Sequence, residues 1–149
     1  MISIRQVKAE EVSYVEEMQK DWALSFEGYE IWPRDWLFKH LGPYFLVAED
    51  EYGAIVGYAI ATPRAEKGDQ PEHLAIQDLY VLRSHRTHGA GTKLLLAILA
   101  QAREDRWKII RLTPVCEVSD LERLEAFYER HGFRWEEPPN FMRLSCSYS

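Results

Sequence analysis

The stretch LRSHRTHGAGTK, residues 82–93, decides how the rest of the chain is interpreted. It lies between a run of strand-forming residues and a run of leucines, and no acidic residue occurs between Asp78 and Glu104. Glycines allow a backbone to approach a ligand closely, and the unpaired amides of a helix N-terminus attract anions. The stretch therefore predicts an anion-binding loop that opens a helix.

Two common phosphate-binding loops do not fit this stretch. A dinucleotide-binding fingerprint requires a third glycine where Leu94 stands. A P-loop requires lysine directly after its last glycine, whereas this chain has Gly91-Thr92-Lys93. A third phosphate-binding pattern, Arg-x-x-Gly-x-Gly, is met by Arg86, Gly89 and Gly91, whose backbone amides could converge on one anion. The alternative is a plain glycine turn beside an exposed arginine.

Composition limits the class of protein. The chain has 149 residues, of which 46% are hydrophobic and 28% are charged, with a net charge of -6. These values predict a single folded domain over residues 1–149 and argue against nucleic acid as the partner. Cys116 and Cys146 are too few and too far apart for a zinc site or a disulfide framework, so we expect no metal and a reducing, cytoplasmic setting. The sequence shows no signal peptide or membrane span, so no membrane partner is expected.

Hydrophobic periodicity predicts an α/β fold with the element order β-α-α-β-β-β-α-β-α-β-β. That order corresponds to a mixed central sheet of about six to seven strands with about four helices. Helices that follow the fourth and fifth strands imply a parallel pairing there. The predicted strands cover residues 2–6, 44–48, 55–61, 74–82, 109–115, 133–135 and 141–146, and the predicted helices begin near residues 10, 33, 91 and 119.

The last predicted helix has the clearest local signals. Ser119 and Glu122 form a capping-box pattern, and Gly132 is placed to end the helix in a left-handed conformation.

Two segments together resemble the GCN5-related N-acetyltransferase (GNAT) superfamily. Residues 78–81 (DLYV) followed by residues 86–91 (RTHGAG) are similar to its strand and pyrophosphate loop. Residues 126–133 (AFYERHGF) are similar to its characteristic helix end. The resemblance covers roughly residues 74–133, and the element order is also that of the superfamily. It implies acetyl-CoA as acetyl donor, a splayed pair of parallel strands that holds it, and no metal.

The resemblance also implies which residues bind acetyl-CoA. Backbone amides of the loop would hold the pyrophosphate, and the preceding strand would offer main-chain groups to the acetyl carbonyl and the pantetheine arm near a bulge. The implied cofactor-binding residues are Leu79, Tyr80, Val81, Arg86, Thr87, His88, Gly89, Ala90, Gly91 and Thr92. Many members have an asparagine where this chain has Leu121, so that contact is absent here or made by another group.

Two catalytic residues follow from the resemblance and from the chemistry of amine acetylation. Tyr128 would protonate the departing thiolate, although its position beside Leu121 and Leu124 also fits plain packing. Asp78 is the candidate base, yet an ordinary carboxylate is about 6 pKa units too weak for a lysine-like ammonium near ~10.4. Burial could raise its pKa, a water chain could carry the proton, or Asp78 could be structural. His73 titrates in a suitable range, but it is more often plain surface at such a position.

The acceptor site is expected between the first two helices. Aromatic and acidic residues alternate there, and such a mixture suits a cation. The expected acceptor-binding residues are Glu27, Tyr29, Glu30, Trp32 and Gln77, the last of which stands where some relatives have a glutamate. The alternative is that the aromatic residues are core and the acids are a solvated face.

Two functions therefore remain open. The first is an N-acetyltransferase that moves acetyl from acetyl-CoA by direct attack of an amine, which would be a cationic small molecule or a protein or peptide amine. The second is a catalytically silent acyl-CoA-binding sensor or interaction module of the same fold, to which Gln77 and Leu121 lend weight. The resemblance also allows a homodimer, because dimers are common in the superfamily.

Overall fold

The structure, a computed structural model, describes residues 1–26, 29–65, 72–86, 88–114, 118–136 and 141–148; of residues 118–120 it describes the backbone alone. Within these residues the strands are β1 Ser3–Gln6, β2 Phe45–Glu49, β3 Ile55–Arg64, β4 His73–Val81, β5 Ile109–Leu112, β6 Arg134–Trp135 and β7 Met142–Ser145. The α-helices are α1 Val12–Ser25, α2 Arg34–Lys39, α3 Ala90–Glu104 and α4 Val118–Arg130.

The strands form one seven-stranded sheet in the order β1-β2-β3-β4-β5-β7-β6. Every adjacent pair is antiparallel except β4 and β5, which run parallel across the crossover through α3. The predicted α/β fold, the mixed sheet and the parallel pair are therefore confirmed.

The helices cover the two faces of the sheet and bury two separate cores. On one face, α1 and α2 pack against β2, β3 and β4. This core contains Val12, Val15, Met18, Trp22, Leu37, Phe45, Val47, Tyr58, Ile60 and Tyr80. On the other face, α3 and α4 pack against most of the sheet, and that core includes Leu94, Leu95, Ile98, Ile110, Tyr128, Phe133 and Met142. We call these the α1 face and the α3 face.

Local sequence explains where most helices begin and end. The buried positions of α1 recur at helical spacing, as do those of α3. Gly132 has φ +96° and ends α4 as predicted, and a Cβ at this position would lie 2.9 Å from Leu144 Cδ1. The side chain of Ser119, on which the predicted capping box depends, lies outside the described residues.

Several details differ from the sequence-based expectations. Strand β3 continues to Arg64, beyond the predicted end at residue 61. Helix α2 ends at Lys39, because His40 N–H bonds back to Leu37 O in a tighter turn. Two short 3-10 turns, Ala9–Glu11 and Arg83–His85, were not predicted, since three-residue turns leave no periodic signal.

Candidate functional site

A bulge in β4 divides that strand into two parts. The pairing with β3 runs from Ala61 opposite Ile76 to Ile60 opposite Asp78, so that Gln77 is the extra residue. The parallel pairing with β5 is confined to Leu74–Ile76. Beyond the bulge, β4 continues to Val81 without β5 beside it. The two parallel strands therefore separate where the bulge lies.

The separation leaves main-chain groups of β4 directed toward a gap. Leu82 N–H donates to Val56 O of β3 at 2.8 Å. Because backbone groups alternate in direction along a strand, those of Leu79 and Val81 face the edge that β5 has left. This is the edge that the sequence resemblance assigned to the acetyl and pantetheine groups.

The N-terminus of α3 lies just after this edge and offers unpaired amides. Gly89 adopts φ +79° as the N-cap residue and makes no side-chain cap, and the first intrahelical bond is Lys93 N–H to Gly89 O at 3.1 Å. The amides of Ala90, Gly91 and Thr92 therefore lack acceptors within the helix. The N-terminus of this 15-residue helix therefore has the free amides and the dipole direction that favour an anion.

The two loop glycines differ in what requires them. Gly89 has a left-handed backbone conformation, which is strained in residues that carry a side chain. At Gly91 no positive φ occurs, and an added Cβ would meet only Val81 Cγ2 at an ordinary 3.8 Å. The fold itself would thus accept a small side chain at Gly91.

The side chain of Arg86 is directed back onto β4. Its Nε donates to Val81 O at 2.9 Å, and its guanidinium carbon lies 5.4 Å from the centroid of the Tyr80 ring. Arg86 thus fastens the loop to the strand end. His88 is exposed, and Thr87 lies outside the described residues.

Asp78 lies on the α1 face, buried among three neutral donors. Tyr58 Oη donates to its Oδ2 at 2.6 Å, Tyr29 Oη donates to the same oxygen at 2.7 Å, and Trp32 Nε1 donates to Oδ1 at 3.3 Å. Burial raises the pKa of Asp78 to about 6, although the three donors oppose that rise. Both expectations for Asp78 therefore meet here, since it bonds the neighbouring loop and also has a raised pKa.

The two tyrosines remain donors over the whole range in which Asp78 titrates. Burial, and next the negative charge of Asp78, raise the pKa of Tyr29 well above its usual range. Burial raises the pKa of Tyr58 in the same direction. The two phenol oxygens lie 3.3 Å apart, so both hydroxyls can point at one carboxylate oxygen.

Gln19 of α1 belongs to this cluster and was missed by the sequence analysis. It is fully buried, and its Oε1 accepts from Trp32 N–H at 2.7 Å and lies 3.0 Å from Tyr29 Oη. Among the described residues, its Nε2 has no hydrogen-bond partner. A polar residue between Val15 and Trp22 on the apolar stripe of α1 is the signal that could have identified it.

The aromatic residues between α1 and α2 pack chiefly on one another. Trp22 stacks on Tyr29 with 4.2 Å between ring centroids and on Tyr80 with 4.9 Å. The Tyr80 hydroxyl donates to Asp21. Glu30 is exposed, and Glu27 lies outside the described residues. The structure therefore brings Tyr29 and Trp32 to Asp78, but it does not bring Glu30 into that cluster.

Gln77, at the bulge, is held by the neighbouring strand. Its Nε2 donates to Thr62 Oγ1 of β3 at 2.9 Å. An amide in this position cannot accept a proton, so the bulge presents a hydrogen-bonding group rather than a base.

Tyr128 lies on the opposite face of the sheet from Asp78. It is 5% exposed and packs in the α3-face core, in edge-to-face contact with Phe127 and Phe133. The two residues predicted to be catalytic are therefore separated by the sheet, with the gap between β4 and β5 as the opening through it.

His73 differs from its expected surface position. It is 6% exposed at the start of β4, and its Nδ1 lies 3.1 Å from Arg111 Nη1. A guanidinium only donates, so Nδ1 accepts and the imidazole carries its proton on Nε2. His73 is buried because its strand runs beside β5, a pairing that local sequence does not reveal.

The described part of the chain shows neither a metal-binding cluster nor a membrane-spanning helix. No three His, Cys, Asp or Glu side chains cluster there as metal ligands would. The helices described above include none that is long and apolar enough to cross a bilayer.

The sequence and the fold agree with one family. The model of the acetyltransferase (GNAT) family matches residues 10–133, and the chain belongs to that family. Its members are acetyl-CoA-dependent acetyltransferases. No curated protein sequence matches the chain.

Solved structures of this family share the fold at low sequence identity. An acetyltransferase of the GNAT family from Staphylococcus aureus Mu50 is 16% identical with a TM-score of 0.77, covering 99% of this chain and 100% of its own. Arabidopsis thaliana Naa50, solved with a bisubstrate analogue CoA-Ac-MVNAL, is 18% identical with a TM-score of 0.72 over 99% of both chains. An aminoglycoside acetyltransferase from an uncultured soil sample is 24% identical with a TM-score of 0.67, covering 91% of this chain and 93% of its own.

Proposed function

We propose that this protein is an N-acetyltransferase that transfers acetyl from acetyl-CoA to an amine by direct attack. The observation that carries the proposal is the combination of a bulged, splayed strand pair with an uncapped helix N-terminus immediately after it. One feature offers main-chain groups in a gap of the sheet, and the other offers amides to an anion.

The residues present fit acetyl-CoA, which would supply the acetyl group as a thioester. The amides of Ala90, Gly91 and Thr92 would hold the pyrophosphate, and the open space at Gly91 would admit it. Main-chain groups of Leu79 and Val81 would orient the pantetheine arm and the acetyl carbonyl. Of the Val81 groups, the carbonyl is already engaged by Arg86, so the N–H is the one available.

In this proposal, each face of the sheet contributes one residue that takes part in proton transfer. Tyr128, from the α3 face, would give its proton to the thiolate that leaves. Asp78, from the α1 face, would favour loss of a proton from the incoming ammonium, either directly or through water. With the pKa of Asp78 raised to about 6, the gap to a lysine-like ammonium falls to about 4 units, so deprotonation is easier than with an ordinary aspartate.

The acceptor in this proposal is a cationic amine, carried by a small molecule or by a protein or peptide. The aromatic residues Tyr29 and Trp32 beside Asp78 support a site for an ammonium group. The bisubstrate analogue bound to Naa50 contains a peptide, and the soil enzyme is named for an aminoglycoside. Both acceptor classes therefore occur among proteins of this fold.

Release of free thiol from acetyl-CoA across a panel of amines tests the proposal. The panel should include polyamines, aminoglycosides, amino acids and peptides with a free N-terminus, and acetyl-CoA binding should be measured separately by calorimetry. We expect amine-dependent thiol release with matching formation of the acetylated amine. Tight acetyl-CoA binding with no turnover of any amine would instead favour the silent acyl-CoA-binding module.

A further inference from the structure

One cross-strand row of the sheet carries three arginines in register. Arg111 of β5 pairs with Arg143 of β7, and Arg143 pairs with Arg134 of β6. We call these three residues the arginine row. Directly opposite like charges destabilise a sheet, so such a row calls for a compensating anion.

The row lies on the same face of the sheet as Asp78. Arg111 is the partner of Ala75 in β4, and Ala75 is the partner of Thr62, to which Gln77 is bonded. The neighbouring residues Ile110 and Leu112 belong to the α3-face core, so alternation places Arg111 on the α1 face.

In the described part of the chain, one carboxylate contacts this row. Glu136 accepts from Arg111 Nε at 3.0 Å and Nη2 at 3.0 Å, and its Oε1 forms an ion pair with Arg143 Nη1 at 3.2 Å. Arg134 bonds to the carbonyl oxygens of Glu129 and Phe133. Two of the three guanidiniums thus share one carboxylate and the third contacts only carbonyl oxygens, so among the described residues the row carries more positive than negative charge.

The row is rigid at one end and accessible at the other. The Arg111 side chain is 6% exposed and is fixed between Glu136 and His73. The Arg143 side chain is 42% exposed and forms one ion pair, with Glu136. The α1-face core is built from β2, β3 and β4 together with the helices, and no residue of β5, β6 or β7 belongs to it. Among the described residues, the row therefore lies outside the α1-face core, and Arg134 and Arg143 are its exposed members.

We propose that the arginine row binds a carboxylate carried by the amine acceptor. The proposal rests on the proposed function, because it places the amine at the gap between β4 and β5. Arg143 lies two strands from β4, or about 10 Å across the sheet. That span suits an acidic side chain near the amine rather than a carboxylate on the same carbon. The ammonium would face Asp78, and the carboxylate would complete the charge balance of the row.

Two sources of such a carboxylate share this chemistry. One is a free amino acid with an acidic side chain, and the other is a peptide whose N-terminus is followed by an acidic residue. Matched pairs separate the two sources. Glutamate and glutamine test the first, and pentapeptides with a free N-terminus that differ only in Asp or Asn at the second position test the second.

The experiment compares these pairs by kcat/KM and by calorimetric binding to the protein saturated with CoA. We expect the acidic member of one pair to be preferred roughly tenfold, as for a charge-assisted bond at a half-exposed site, with the preference falling as salt is raised. Arg143→Gln should abolish the preference, and Arg143→Lys should keep part of it. Arg103→Gln, on the exposed surface of α3, removes the same charge elsewhere and should leave the preference unchanged.

The outcomes distinguish failure of the carboxylate site from failure of the proposed acetyltransferase function. Equal use of the acidic and amide members by an active wild-type protein overturns the carboxylate site but not the acetyltransferase function. If no amine is acetylated, the proposed function fails, and the calorimetric comparison still decides the carboxylate site. Unaltered preference in Arg143→Gln would also overturn it.

Discussion

The gap between β4 and β5 separates two regions that are built in different ways. On the side of α3, the candidate cofactor site consists of main-chain groups, namely the free amides of Ala90, Gly91 and Thr92 and the free edge of β4. On the α1 face, the candidate acceptor site consists of side chains from β3, β4 and the connection between α1 and α2, which meet at Asp78. A backbone site tolerates few changes at glycine and many elsewhere, whereas a side-chain site depends on each member of the cluster.

The largest expected effect concerns Tyr128, the proposed acid on the α3 face. Tyr128→Phe keeps the ring and hence its packing against Phe133, but it removes the proton. We expect kcat to fall by roughly 10²–10⁴ with little change in acetyl-CoA affinity. Steady-state kinetics and calorimetry on the same preparation measure both. A kcat within a few-fold of wild type would mean that Tyr128 is a core residue alone.

The buried side chain of Asp78 on the acceptor side should make the free energy of unfolding depend on pH. Burial raises the pKa of Asp78 to about 6 from an unfolded value near ~3.9, so the native state binds more protons than the unfolded state between those values. Stability contributed by this group is thus fully present below about pH 4 and is lost as pH rises toward and through 6.

The variant Asp78→Asn removes this titration and keeps the size of the side chain. The free energy of unfolding of the variant, relative to wild type, should rise by roughly 2–4 kcal/mol between pH 4 and pH 7. Urea unfolding at several pH values measures the difference, and the exposed Asp35→Asn serves as the matched control. A difference that does not change with pH would mean that Asp78 titrates as an ordinary aspartate.

The glycine loop and the helix after it are easier to predict from sequence than the Asp78 cluster, and the reason is physical. A loop that binds through its backbone is encoded by glycines at fixed spacing, and the helix that follows is local. The Asp78 cluster depends on contacts between residues far apart in the chain, such as Tyr58 with Asp78 across β3 and β4. The bulge at Gln77 sets that register, and only the family resemblance anticipated it.

The contacts of several buried polar residues were also not evident from the sequence. In the sequence, Gln19 is one polar residue in an amphipathic helix; only the folded structure shows that it accepts a hydrogen bond from Trp32 N–H. His73 and Arg111 become neighbours only through the parallel pairing of β4 and β5. Glu30 was expected at the acceptor site because aromatic and acidic residues alternate in that segment, but it is exposed and is not among the groups that affect Asp78.

The central claim, that the cofactor is held by backbone, is tested most directly at Gly91. An alanine there fits the folded protein, since its Cβ would lie 3.8 Å from Val81 Cγ2, and alanine in a helix is up to ~1 kcal/mol more favourable than glycine. We therefore expect Gly91→Ala to leave the free energy of unfolding unchanged or raised while weakening acetyl-CoA binding, and Gly91→Val to abolish binding. Ala100→Val, on the exposed side of the same helix, should bind normally. Calorimetry that shows wild-type affinity in a folded Gly91→Val would contradict the account.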